Sequence, residues 1–269
     1  MTIRIEQVES GVVRIALSTW QGRAVGYDVS AFMVRGVLID TGFPAVRSEL
    51  LSAVRELRPR GSIVTHWHED HAGNAASLAA AGLPLQMHED CEATLRERPP
   101  IGFYRRSIWG RPPQLSVSLE TFDPAPLVVI PTPGHTADHV VVWDEERRIV
   151  ASGDLFLGVK VRVAHAHEAP ATLLRSLRAV ALLEPRILLD AHRGVVQNPV
   201  QMLLAKINWM EETIGAITTL AMAGAHDVEI QHRVLGAEAL VGRVSFGEYS
   251  KLSLVRAVLR ERTEVTRTV

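Results

Sequence analysis

Apolar positions recur along this chain with two different periods, and the switches between them predict its elements. TIRIEQV and GVVRIALS alternate apolar and polar residues around Glu9-Ser10-Gly11, which predicts a β-hairpin. SAFMVRGVLIDTG (30–42) predicts two further strands interrupted near Arg35-Gly36. From Ala45 to Leu57 the spacing changes: Val46, Leu50, Leu51, Val54 and Leu57 share one helical face, and Pro59 closes the helix. GSIVTHW predicts a short buried strand, Ala72 to Ala81 a helix ended by Gly82, LPLQMH (83–88) a strand, and Glu89 to Arg98 a helix stopped by Pro99-Pro100. Residues 99–118 are rich in proline and glycine and predict a long loop or lid.

Strand patterns return in LVVIPTPGHT and in HVVVWDEERRIVASGDLF, which reads as two strands joined by Asp144-Glu145-Glu146. Pro170 to Leu183 predicts a helix, RILLDAH a strand, and Pro199 to about Ala223 a long helix. The last 45 residues predict two helical pieces, with Ser250 as the N-cap of KLSLVRAVLRER. Strands and helices in this order predict an α/β protein, its sheet layers covered by helices.

The chain has 269 residues, enough for one large domain or two layers on one core. With 47% hydrophobic and 22% charged residues it has a globular composition. Basic and acidic residues number 29 and 30, so no global field draws in nucleic acid or an anionic membrane. Cys91 stands alone, so no intramolecular disulfide forms. MTIRIEQVES has no apolar signal core, and IGAITTLAMAGA (214–225) is too short to span a bilayer. These features lead us to expect a cytoplasmic protein with a small-molecule substrate and neither a membrane nor a nucleic-acid partner.

The candidate chemistry collects just after predicted strands. THWHEDHAGN (65–74) packs His66, His68, Asp70 and His71 into six positions. In an extended chain His66 and His68 point to one side and Trp67 to the other, and Asp70 continues the first face. His71 joins only if the chain turns. Imidazole and carboxylate suit zinc, and also iron or manganese. Two cations close together need about six or seven ligands, and His135 in PTPGHTADH, Asp154 in ASGDLF and His192 in DAHRG are candidates in the right settings. Isolated histidines such as His88, His226 and His232 carry no such signal.

His66, His68, Asp70 and His71 match the HxHxDH motif of the metallo-β-lactamase superfamily, which the chain resembles over about residues 10–200. Asp40 in LIDTG, His135 in PGHT, Asp154 in SGDLF and His192 in AHRG match its remaining motifs in order. The resemblance implies an αββα sandwich at 1–200 with a helical C-terminal extension, 201–269, packed on it. It implies that His66, His68 and His135 hold one metal, that Asp70, His71 and His192 hold a second, and that Asp154 bridges them. Asp40 would act behind the ligands, and His139 could hydrogen-bond one or simply begin a strand.

An aspartate at position 154 resembles the glyoxalase II type of hydrolase rather than true β-lactamases. The resemblance therefore implies a dinuclear hydrolase, most simply with zinc (iron or manganese also fit), using a metal-bridging hydroxide on a thioester, ester or lactone. Asp70 and Asp154 then serve as metal ligands that activate water, not as free bases. A mononuclear iron persulfide dioxygenase is the alternative, ahead of a phosphodiesterase, nuclease or β-lactamase. Residues beyond about 200 do not match the glutathione-binding tail of the glyoxalase type.

For the substrate, GVKVRVAHAHE (158–168) read as extended chain puts Lys160 and Arg162 on one face and His165 and His167 on the other. Tyr104, with Arg105, Arg106 and Trp109, could form a lid from the proline-rich loop. That loop and the C-terminal helices are also candidate surfaces for a homodimer.

Overall fold

A computed structural model describes residues 2–19, 28–98 and 100–267, without side-chain detail at 2 and 264–267. Two sheets form its centre. The first has the spatial order β1 (Thr2–Glu9), β2 (Val12–Ser18), β3 (Val29–Val34), β4 (Val37–Ile39), β5 (Gly61–Ile63) and β6 (Leu85–Gln86). It is antiparallel as far as β4 and parallel from β4 to β6. The parallel pairs need crossovers, supplied by α1 (Arg47–Leu57) and α2 (Ala75–Ala80). The second sheet runs β12 (Gly194–Val196), β11 (Ile187–Asp190), β9 (Ile149–Ala151), β8 (Val140–Asp144) and β7 (Leu127–Pro131). Its parallel pair, β9 and β11, is joined through α5 (Pro170–Leu182). The remaining helices are α3 (Glu89–Glu97), α4 (Phe103–Trp109), α6 (Pro199–Met222), α7 (Asp227–Leu235), α8 (Leu240–Val244) and α9 (Lys251–Arg267).

Side chains alternate across each strand, so each sheet feeds two apolar layers. Between the sheets, Val12, Phe32, Val34, Val37, Ile39 and Ile63 meet Leu127, Val142, Ile149, Ala151 and Leu189. On the outer face of the first sheet, Ile15, Leu17 and Leu38 pack with Leu50, Leu78, Cys91 and Leu95 from the helices. On the outer face of the second, Val141, Trp143, Val150 and Leu188 pack with Leu173, Leu177, Leu203 and Ile207. The result is an α/β protein of αββα layering. Leu203, Ile207 and Met210 of α6 belong to the second sheet's own core, so this helix is part of the sandwich wall. The later helices build a smaller cluster around Ile217, Ile230, Val255 and Ala164. Among the described residues, no helix is long and apolar enough to cross a membrane.

Three local expectations change. The proline-rich loop contains a seven-residue helix, α4, between Gly102 and Gly110. Its length is too short for apolar periodicity to register against the surrounding prolines. The tail forms three helices rather than two, because α8 is a five-residue turn of helix. The chain from Gly158 to Val163 forms no strand; only β10 (Ala164–His165) pairs, with β13 (Tyr249–Ser250). Ser250 does cap α9: its hydroxyl accepts the Ser253 N–H at 3.0 Å.

Leu177 is fully buried between α5 and the second sheet. Leu177→Ala should lower unfolding free energy by ~2–5 kcal/mol in a denaturant titration. A loss below ~1 kcal/mol would contradict the packing described.

Candidate metal centre

The polar cluster is carried by loops that leave strand ends on one rim of the sandwich. β4 delivers Asp40, β5 delivers His66 to His71, and β7, β9 and β11 deliver His135, Asp154 and His192. Asp40 adopts a left-handed backbone, φ 65°, a conformation that aspartate tolerates better than most residues. Its Oδ1 accepts the Thr65 N–H at 2.8 Å and its Oδ2 accepts the Thr65 hydroxyl at 3.0 Å. The same Oδ2 lies 2.8 Å from His71 Nδ1. With a cation bound, that contact would keep the one ring proton on Nδ1 and leave Nε2 of His71 free to coordinate. Gly73 lets the histidine loop fold back, since a Cβ there would collide with the Glu69 carbonyl oxygen and stand 2.6 Å from that of Gly42.

Seven donors gather in two groups, His66, His68, His135 and Asp154 in one, Asp70, His71 and His192 in the other. Asp154 faces both. Its Oδ2 is 3.3 Å from His135 Nε2 and 4.0 Å from His66 Nε2. Its Oδ1 is 3.1 Å from His71 Nε2 and 3.2 Å from His192 Nε2. Asp70 Oδ2 lies 3.4 Å from His192 Nε2 and 3.9 Å from His71 Nε2. His68 turns Nδ1 inward, 3.0 Å from His135 Nε2.

This arrangement fits divalent cations. His66 Nε2, His71 Nε2 and Asp154 Oδ1 are buried and hydrogen-bond to no other described residue. A buried polar atom left unpaired costs ~1–3 kcal/mol, so these atoms, drawn from both donor groups, call for cationic partners. Imidazole and carboxylate donors suit zinc, iron or manganese. The charges agree. Burial alone would raise the Asp154 carboxyl, but His71, His192 and His135 hold it well below the usual carboxylate range. Burial, with the neighbouring rings, pushes His66 and His68 well below the ordinary histidine value. Nearby carboxylates instead raise His71, His135 (to about 9) and His192 despite burial, negative charge that a bound cation would meet in place of those protons.

Further residues hold the donors in place. His139 is lowered to about 3, by burial and then by His135. Its Nε2 accepts the Asp154 N–H at 3.1 Å and its Nδ1 stands 2.8 Å from the Thr132 hydroxyl. Asp190 accepts the N–H groups of His192 (2.9 Å), Arg193 (2.8 Å) and Leu157 (2.8 Å), which ties the His192 loop to the Asp154 loop. Lys206 of α6 is fully buried and donates to the Phe156 carbonyl, and burial lowers it to about 8. Arg105 on α4 bonds Glu69 through Nε (2.6 Å) and Nη2, and lies 5.1 Å over the Trp67 ring. This buried pair fixes α4 above the histidine loop. Lys206 and the Glu69–Arg105 pair escape sequence reading because their partners are remote in the chain, as is the Leu157 N–H that Asp190 accepts. The aspartate that directly precedes Ala191-His192 was the one local signal available.

A cavity of ≈ 520 Å³ opens over the donors. Its floor includes His68, Asp70, His135, Asp154 and His192. Its walls include Tyr104, Ile108 and Trp109 of α4, with Leu157, His165, Val241 and Tyr249. Tyr104 and His165 thus stand where a substrate would. Lys160 and Arg162 do not: both are exposed and outside the cavity lining. Lys160 and Arg162 do share a face, but it is the exposed one, while Val161 and Val163 between them turn inward. His167 is outside the lining too, with its Nε2 3.2 Å from His68 Nε2. His88 has a local task, accepting the Asp90 N–H at the start of α3.

A family profile described as the metallo-beta-lactamase superfamily matches residues 25–192. The chain is 28% identical over 176 residues to a beta-lactamase-like protein 2 homolog of Caenorhabditis elegans, covering 57% of this chain and 52% of that one. It is 27% identical over 245 residues to thioesterase pkgB of Emericella nidulans, covering 83% and 64%. It is 25% identical over 239 residues to an atrochrysone carboxyl ACP thioesterase of Passalora fulva, covering 82% and 66%. The chain therefore spans roughly half to two-thirds of the length of these relatives. A metallo-beta-lactamase family protein from Thermus thermophilus shares the fold, with TM-score 0.68, 20% identity and coverage of 96% and 95%.

His68→Ala and Asp154→Asn should each lose most bound metal, measured by elemental mass spectrometry, while far-ultraviolet circular dichroism is unchanged. A full metal complement in either variant would overturn the donor assignment.

Proposed function

The chain belongs to the metallo-β-lactamase superfamily, and on that premise we propose that it is a dinuclear metal-dependent hydrolase of acyl thioesters, with esters and lactones as related substrates. The observation that carries this reading is Asp154, whose two carboxylate oxygens face separate donor groups. His66, His68, His135 and Asp154 would hold one cation, and Asp70, His71, His192 and Asp154 the other. Zinc is the metal that this donor set suits best. When bound, such a pair polarises a carbonyl oxygen and brings the ionisation of water from ~15.7 towards ~7.

The chain's own residues set up the rest. Asp70 and Asp154 are donors and not free bases, since both point into the imidazole cluster. In the net reaction water adds to the acyl carbon, the carbon–sulfur or carbon–oxygen bond breaks, and an acid and a thiol or alcohol leave. No oxidant is consumed. Cys91, buried in the outer core with its thiol pushed up by burial, is no competing nucleophile.

The walls favour an apolar acyl group. Tyr104, Ile108, Trp109, Leu157, Val241 and Tyr249 are aromatic or aliphatic. The arginine in the wall, Arg105, is already engaged by Glu69 and so is not free for a phosphate or carboxylate. This supports an uncharged acyl chain over a nucleic-acid backbone. Two relatives named as thioesterases support the thioester in particular. A mononuclear iron dioxygenase would leave Asp70, His71 and His192 without a task, so seven gathered donors support the two-cation reading instead.

A panel of thioesters with acyl chains of increasing length tests this. kcat/KM should rise about 4-fold per added methylene until the cavity is filled, the amount expected for burying ~0.8 kcal/mol of apolar surface. Chelator should abolish turnover and zinc restore it. Flat, chelator-insensitive turnover would contradict the proposal, as would oxygen consumption with a persulfide.

A further inference from the structure

His68 presents its two ring nitrogens to different neighbours. Nδ1 faces the donor cluster, 3.0 Å from His135 Nε2. Nε2 faces outward, 3.2 Å from Nε2 of His167. A histidine that gives a cation its Nδ1 lone pair must carry its proton on Nε2. His167 Nε2, at 3.2 Å, stands within hydrogen-bond distance to accept that proton. Without an acceptor there, the neutral ring could hold its proton on either nitrogen, and the wrong tautomer would aim an N–H at the cation.

The next residue lies behind a second donor. Glu168 Oε1 lies 3.7 Å from Nδ1 of His135, the nitrogen that faces away from Asp154. One short segment thus stands behind two donors of the same group. It is held from the C-terminal part of the chain. Ala164 and His165 pair with Ser250 and Tyr249. The His167 ring stacks on His165 at 5.2 Å and 7°, and His165 stacks on Tyr249 at 4.7 Å. Arg260 of α9 donates to the Ala166 carbonyl at 2.7 Å and the Glu168 carbonyl at 2.5 Å.

We propose that His167 is the positioning residue of the metal ligand His68, accepting its Nε2–H and fixing the tautomer that leaves Nδ1 free, and that the C-terminal helices hold it there. This rests on the metal-centre reading above. It gives His167 a task other than touching substrate. It also makes residues far beyond the motif-bearing segment part of what sets cation affinity.

The test is zinc affinity of the full-length chain, by competition with a chromophoric chelator, so no substrate is needed. One side of His167 is open to solvent, so a small replacement would let water take over as acceptor. His167→Phe fills the ring's space and offers no acceptor, whereas His167→Gln offers an amide oxygen. His167→Phe should weaken zinc binding roughly 10–100-fold, the range seen when such outer partners are removed. His167→Gln should stay within about 3-fold of the wild type, a difference that a purely space-filling role would not produce. Melting curves check that both variants fold. Equal affinity of His167→Phe and wild type would overturn the inference, as would equal losses in both variants. A wild-type chain that binds no zinc would overturn the metal centre itself, and the inference with it.

Discussion

The Asp154 carboxylate, buried with one oxygen towards each of two imidazole groups, is the interaction on which the rest of the site depends. A carboxylate in such a position is costly to desolvate unless positive charge meets it. The surrounding structure is arranged around that need. His139 holds the Asp154 backbone, Asp190 joins its loop to that of His192, and Lys206 holds the Phe156 carbonyl from behind. Asp40 accepts a left-handed backbone so that its carboxylate can orient His71. The cost of that conformation is offset by three hydrogen-bonding contacts in a dry setting.

Much of this was legible in the sequence, for a physical reason. Strands alternate, helices repeat every three to four residues, and the loops after strands are where function collects. The hairpin at residues 2–18, the helix of α1 and the long helix of α6 follow directly from those periods. The seven donors come instead from residue type at strand ends and from the HxHxDH resemblance, and the structure brings all seven together. The αββα layering follows once both outer faces of the strands prove apolar.

What was not legible depends on distance along the chain. Glu69 looks like a surface acid inside its motif, and only the fold shows it paired with Arg105. Tyr249 and Val241 line the cavity from a tail that carries no motif of its own. Alternation places Lys160 and Arg162 on one face, as found, but cannot tell which face meets the cavity, and theirs is the exposed one. The C-terminal helices looked like a cover for the sandwich. Through Arg260, Tyr249 and α6 they also reach the loops that carry the donors.

The central claim is that two cations share Asp154, and the most direct measurement is metal identity and stoichiometry. Elemental mass spectrometry on full-length protein purified without chelator or added metal supplies both. The account predicts about two divalent ions per chain, zinc or manganese. About one iron per chain, with Asp70, His71 and His192 replaceable without its loss, would contradict it.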